Sequence, residues 1–526
     1  MYSYDETAYT STSFPQTHPH KLATIATLFG MRPALLDRCN VLELGCGNGA
    51  NILPIAESNP HSTFVGIDLS AFQIEEGRKA IQAAGLTNVR LEHKNILDFD
   101  AEGMHFDYII VHGVFSWVSD EVREKILRIC QDFLTPQGIV YISYNALPGW
   151  HMRGMLRDMM TYHVAQFDDE KQKIDQARAL LKFLSESVPP ENNAYGIYLQ
   201  GELNAMFKWS DSYLRHEFLE KENRAFHFHE FISLAEGHGL QYLGEPELSA
   251  IIPANFSMEV QKTLHKIGRN VVAMEQYMDF LRNRTFRMNL LVRSNHELNR
   301  AIQPSQLRSF WFSSTARLVK AEVDLSAGVK EEFTINGRSI YSDNSLVKAT
   351  LVVLSKAAPR QLNFSELLTQ VRSLLTGGSN NVIRDQNVQQ HEEISMCDQL
   401  LLLYSRGLVE AVIQPHAHLT TTVTDRPKIS AVARHQALNT SGPVTNLRHT
   451  PIEVDGFIRQ VMSLLDGTRT RDEIVSTLAK RVQAGAFAVT NEGKTVTEAS
   501  ELATILAPRV DVVTENLGQA GFYRAS

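Results

Sequence analysis

The segment Val41-Leu42-Glu43-Leu44-Gly45-Cys46-Gly47-Asn48-Gly49-Ala50 constrains this chain most. A short apolar run carries an acid near its end. Three glycines at alternate positions follow, then a helix-compatible stretch from Asn51 to about Asn59. Without a Cβ, glycine permits a sharp strand-to-helix turn and lets a ligand approach the backbone closely. The pattern points to a nucleotide-like cofactor. Taken alone the turn is ambiguous, because Gly45, Gly47 and Ala50 also satisfy the dinucleotide pattern G-x-G-x-x-G/A. Glu43 inside the strand end and the third glycine, Gly49, shift the balance away from it. Phe64-Val65-Gly66-Ile67-Asp68 is a second apolar run ending in an acid, with Asp68 19 residues beyond Gly49. That spacing suits a carboxylate at the tip of the next parallel strand, accepting hydrogen bonds from ribose hydroxyls.

Strand candidates lie at 41–44, 64–67, 89–92, 107–111 and 139–143, with helical patterns at 20–29, 51–59, 71–84 and 120–134. Such alternation implies a parallel sheet covered on both faces, with ligands bound outside the carboxyl ends of its strands. The residues just after each strand are therefore the candidates. After the third strand comes His93-Lys94-Asn95-Ile96-Leu97, where Asn95 is a candidate contact or simply a turn-capping Asn. After the fourth come His112-Gly113-Val114-Phe115-Ser116-Trp117. An imidazole and aromatic walls stand there, and aromatic faces attract cations; core packing is the competing account. The fifth strand leads into Ser143-Tyr144-Asn145 and then Leu147-Pro148-Gly149-Trp150-His151-Met152-Arg153, a substrate gate or an interdomain bend.

Composition narrows the class. At 526 residues the chain suggests two to four domains. A net charge of −8 argues against nucleic acid as partner, since phosphate binding needs clustered cations. The four cysteines (Cys39, Cys46, Cys130, Cys397) show no C-x-x-C pairing, so a reducing, cytoplasmic setting with no disulfide scaffold or zinc cluster is expected. His227 and His229 are two apart and would diverge on a helix, so no metal is expected there either. No apolar run is long enough to insert in a membrane, and no signal peptide is visible.

The motifs FPQTHP, ELGCGNGAN, HGVFSWV, SYNALPGWHMRGM, FHEF, HGLQYLGE and FLRNRTFR occur in order over about 1–295. Together with the E-x-G-x-G-x-G turn and the following strand-Asp, they resemble class I S-adenosylmethionine (SAM)-dependent methyltransferases that carry a regulatory domain. That group includes the rickettsial protein-lysine methyltransferases. The resemblance implies a Rossmann-like seven-stranded α/β domain with helical insertions, followed by α+β, winged-helix-like C-terminal domains. It implies SAM as cofactor and S-adenosyl-L-homocysteine (SAH) as product. The implied cofactor contacts are Glu43, Gly45, Cys46, Gly47, Gly49, Asp68, Leu69, Asn95, Ile96 and His112. Gln16, Thr17 and His18 would close over the methionine moiety, unless Thr17 merely caps the helix that follows. His112, Trp117 and Tyr144 are the candidates at the acceptor end, with His112 or Tyr144 as base. Lysine side chains of a protein substrate are the implied acceptor, and a homodimer the implied assembly.

The expected organisation is a SAM-binding core at 1–151, a helical lid or dimerisation insertion at 152–229, and the end of the core with a second insertion at 230–296. A middle domain at 297–413 and a C-terminal domain at 414–526 follow. In the middle domain an Asn336-Gly337 hairpin turn precedes helices at 345–357, 363–375 and 391–406 and a strand near 407–412, which reads as a winged helix. The stretch 376–390 reads as a loop and 414–448 as a linker or irregular stretch. Helices near 454–465 and 471–482 then suggest a second winged helix, used for protein contact or dimer packing since no basic cluster is evident. Three functions stay open: protein-lysine methylation, methylation of a small molecule or RNA, and non-catalytic SAM binding.

Overall fold

In the computed structural model, residues 11–335, 337–377, 386–416, 419–491 and 494–524 are described. Strands β1 (Asn40–Leu44), β2 (Thr63–Asp68), β3 (Val89–His93), β4 (Phe106–Val111), β5 (Leu134–Asn145), β6 (Leu240–Gly244) and β7 (Phe286–Arg293) form one sheet in the order β3-β2-β1-β4-β5-β7-β6. The first five run parallel, and β7 is antiparallel to both its neighbours. Helices α1 (Pro19–Leu28), α2 (Ile52–Ser58), α3 (Ala71–Ala84) and α4 (Asp120–Phe133) cover the two faces. Their ends are locally encoded. Ser70 caps α3 by accepting from Gln73 N, and Gly85 closes it in the left-handed region at φ 66°. Ser119 caps α4, whose first turn carries Asp120 and Glu121 against the helix dipole.

Strand alternation sorts the core into two layers. Val41, Ile110, Ile139 and Tyr141 pack with α1, α2 and α3, whereas Leu42, Ile109, Val140, Ile142 and Tyr144 pack toward α4 and the helix Phe228–Glu236. Between β5 and β6 lie α5 (Trp150–Val164), α6 (Glu170–Ser187) and α7 (Ala194–Met206), then a short helix and a π turn at Arg215–Leu219. These close around an apolar cluster of their own, with Leu156, Leu181, Leu199 and Phe218. Helices Met258–Ile267 and Val271–Arg282 fill the second interval, before β7.

Beyond β7, a small sheet of Leu362–Asn363, Trp311–Ser313 and Glu410–Val412 holds the helices Ser345–Ala357, Phe364–Leu375 and Gln386–Ser405. The hairpin Glu331–Ile335/Arg338–Ser342 is present; Asn336 lies outside the described residues, while Gly337 has φ 75°. The third helix starts at Gln386, so the loop read over 376–390 is shorter than expected, and its residues 378–385 lie outside the described ones. The stretch 414–448 is not a linker. It contains the helix Ala431–Asn439, whose first amides at Ala431 and Val432 donate to the Glu57 carboxylate at 2.5 and 3.1 Å. Helices Gly456–Met462, Arg471–Gln483 and Ala499–Gln519, with the two-stranded wing 490–491/494–495, complete a C-terminal winged helix.

Candidate active site

The carboxyl ends of β1, β2 and β4 open onto a cleft of about 540 Å³. Gly45, Gly47 and Gly49 all have positive φ, at 75°, 55° and 76°. A Cβ on Gly45 would sit 2.4 Å from Val114 Cγ2, and Val114 lines the cleft. Gly45→Ala combines that overlap with left-handed strain of about 1–2 kcal/mol. We expect SAH affinity to fall by roughly tenfold or more, since about 1.4 kcal/mol is a factor of ten; isothermal titration calorimetry reads it. Asp68 ties the turn to β2: its Oδ2 accepts from Gly47 N and its Oδ1 from Ser70 N, both at 2.8 Å. Burial raises its pKa, against the pull of those amide bonds.

Glu43 is 3% exposed and lines the same cleft. Asn51 Nδ2 donates to its Oε1 at 2.7 Å, while its Oε2 has no partner among the described residues. Burial pushes this carboxyl up to about 8. Asn51 is held in turn by Thr17 Oγ1 and by His449, whose Nε2 lies 2.9 Å from Asn51 Oδ1. The C-terminal domain therefore buttresses the glycine turn from behind.

Of the sequence candidates, Glu43, Gly45, Cys46, Gly47, Asp68, Leu69, Asn95, Ile96, His112 and Trp117 all line this one cleft. Asn95 also caps its own turn, accepting from Leu97 N at 3.0 Å. Burial holds the Cys46 thiol well above its usual range, so it is inert. Gly49 is not in the wall; it packs beneath, where a Cβ would meet Leu91 and Leu53. Gln16, Thr17 and His18 do not line the cleft. Thr17 sits one layer behind, on Asn51. The α1 cap is His18 rather than Thr17, with Nδ1 accepting from His20 N. Tyr144 is not at the acceptor end either. It is 1% exposed, stacks on Phe231 at 4.3 Å, and its hydroxyl accepts from Asn289 Nδ2. Period-two alternation puts it on the opposite face from Tyr141 and Ser143, which bond His112 Nδ1 at 3.0 and 3.2 Å. The residue of that strand reaching the cleft is Asn145, whose Nδ2 has no partner among the described residues. Burial lowers the His112 pKa to about 4, so its ring is neutral.

The helical insertion supplies the far wall. Trp150 stands edge-to-face with Trp117 at 6.2 Å and donates through Nε1 to Asn223 Oδ1 at 3.0 Å. Arg153, Glu217 and Glu220 line the cleft beside them. Arg153 Nη1 pairs with Glu217 Oε1 at 3.1 Å, and burial raises the Glu217 pKa despite that partner. Glu217 sits in the π turn, a local widening common at functional sites. Sequence reading missed Glu217 because a lone acid in a helical run carries no spacing signal.

Comparison with known proteins agrees with this geometry. Residues 35–196 match a methyltransferase domain family, 210–293 a "predicted methyltransferase regulatory domain", and 425–522 a "PKMT, C-terminal winged helix domain". An uncharacterized protein of Rickettsia prowazekii (strain Madrid E) is 34% identical over 524 residues, covering 98% of this chain and 93% of its own. The chain belongs to the SAM-dependent methyltransferases with a regulatory domain. A second R. prowazekii protein is 44% identical over 234 residues, 44% of this chain and 94% of its own. The structure of PKMT2 from Rickettsia typhi in complex with AdoHcy superposes with a TM-score of 0.85 at 32% identity, covering 98% of this chain and 99% of that one. This methyltransferase uses SAM, and its cleft fits that molecule. The turn leaves no Cβ in the way, Asp68 supplies a carboxylate at the β2 tip, and the unpartnered Glu43 Oε2 is an acceptor for a cationic ligand.

Proposed function

We propose that this methyltransferase transfers methyl groups to the Nε of lysine side chains in protein substrates. The observation that carries the proposal is the far wall. Trp117, Trp150 and the Glu217 carboxylate face the cofactor cleft together, a set suited to an alkylammonium group. The match to PKMT2, the PKMT winged-helix family and a helical wall built as protein surface support a protein acceptor.

In this reading Asp68 holds the ribose, Asn95 and Ile96 the adenine, and Glu43, on Asn51, the methionine amino group. Bound SAM supplies a methyl already activated by its sulfonium. The chain's residues then have to align an amine and bring it in neutral, although a lysine pKa is about 10.4 in water. Trp117 and Trp150 strip water from the amine, which lowers its pKa. Asn145 orients the attacking nitrogen. His112 has its basicity depressed by burial, so it positions rather than stores the proton, which leaves to water.

Glu217→Gln removes the charge and keeps the shape. It should raise KM for the protein acceptor several-fold while KM for SAM is unchanged; steady-state kinetics with each substrate varied checks this, and equal shifts in both would count against the assignment. The class of acceptor is tested with labelled SAM and a cell extract separated into protein, RNA and small-molecule fractions. Label in protein agrees with the proposal, label in RNA or small molecules contradicts it, and bound but untransferred label means a non-catalytic role.

Two further readings accompany it. All four cysteines are free and buried, which supports a reducing, cytoplasmic setting. Among the described residues no helix is long and apolar enough to cross a membrane. Tyr162, Phe183 and Phe207 of the insertion are 88%, 62% and 70% exposed, which supports its use as a dimer surface. Sedimentation at two protein concentrations tests that.

A further inference from the structure

Four buried histidines gather behind the cleft, none of them part of the proposed chemistry. His18 and His20 come from the start of α1, His416 from just beyond the strand Glu410–Val412, and His449 from the C-terminal domain. They are 5%, 5%, 8% and 2% exposed. One donor nitrogen from each of His18, His20 and His416 lies within 4.8 Å of the others. The His449 ring centre is 5.2 Å from that of His18. A cavity of about 430 Å³ touches all four.

We propose that His18, His20 and His416 bind a divalent transition metal of the zinc class, with His449 as fourth donor, and that the ion clamps the N-terminal helix to the two C-terminal domains.

The hydrogen-bond pattern carries the argument. Among the described residues both ring nitrogens of His20 and Nδ1 of His449 are buried without a partner. Leaving a buried polar group unpaired is unfavourable. A cation that accepts several lone pairs removes that penalty at all of them together. His18 Nδ1 is only lightly committed, in a 3.3 Å bond from His20 N. His449 points its other nitrogen at Asn51 Oδ1, the outer bond that typically orients a metal-binding imidazole. Zinc–nitrogen bonds of about 2.0–2.1 Å place tetrahedral nitrogens roughly 3.3 Å apart, so the rings need draw in by only about 1.5 Å. No cysteine takes part, which is why cysteine spacing gave no hint.

The test uses the full-length protein, stripped with chelator and dialysed. Titration with Co²⁺ should produce the visible bands of a tetrahedral nitrogen site, saturating near one ion per chain, and Zn²⁺ should bleach them and raise Tm. His20→Ala should lose the bands while still binding SAH, which shows that the variant folds. X-ray absorption on the Zn²⁺-loaded parent should show a shell of imidazole nitrogens, and this reading stands whether or not the variant folds. Absence of bands with no Zn²⁺ retained after dialysis overturns the proposal; so do unchanged bands in a folded His20→Ala, or an all-oxygen shell. In those cases the cavity holds water.

Discussion

Asp68→Ala should abolish measurable SAH binding in a calorimetric titration. Charge-assisted hydrogen bonds contribute roughly 1.5–3 kcal/mol each. Two of them to ribose hydroxyls therefore account for about 3–6 kcal/mol, or a weakening on the order of 10²–10⁴-fold. The variant also strands Gly47 N, which donates to Asp68 Oδ2 and fixes the glycine turn. Asp68→Asn should lie between, since one oxygen remains to accept. Parent-like affinity in Asp68→Ala would disprove the ribose assignment.

The second large effect is on stability. Arg287, 1% exposed, is set among three buried carboxylates, one of which, Glu245, also pairs with Arg284 at 2.5 Å. Its Nε is 2.7 Å from Asp279 Oδ2, its Nη1 3.1 Å from Glu275 Oε2 and 3.3 Å from Glu245 Oε1. Its guanidinium also lies over the Phe228 ring at 3.7 Å. Removing one partner of a buried ion cluster costs about 3–5 kcal/mol, because uncompensated charge stays behind. Arg287→Ala should lower Tm on the order of 10 °C. Burial already pushes Glu275 up to about 7 with Arg287 present, and without it the carboxyls rise further. A carboxyl with a raised folded-state pKa binds protons in the native state that the unfolded chain releases, so stability falls as pH rises. The variant's deficit should thus be larger at pH 8 than at pH 5.5, in denaturation followed by circular dichroism. A deficit independent of pH would show that lost packing on Phe228, not stranded charge, dominates.

What the sequence disclosed follows from how local each signal is. β1, β2, β4 and β5 were readable because both faces of the sheet are covered there, so each carries a short apolar run punctuated by glycine, asparagine or a capping serine, whereas β3 at the sheet edge alternates Val89 and Leu91 with Arg90 and Glu92. The helix Ala431–Asn439 gives a weak periodic signal because its buried apolar side chains are small, Val432, Ala433 and Ala437; Ser430 caps it locally, but the Glu57 carboxylate that meets its first amides is hundreds of residues away. At the site, strand-tip logic found Glu43, Asp68, His112 and Trp117. Tyr144 and Asn145 are neighbours in sequence, and period two from Tyr141 places Asn145, not Tyr144, at the cleft. Glu217, His416 and His449 meet the core only through tertiary packing, which no local pattern records.

Delivery of a methyl group from this cleft to lysine is the step proposed above. Tandem mass spectrometry of acceptor protein treated with enzyme and isotopically labelled SAM tests it directly. The account predicts labelled methyl groups on lysine Nε, absent when Asp68→Ala replaces the parent. Label confined to any other atom, or equal labelling by the variant, would contradict it.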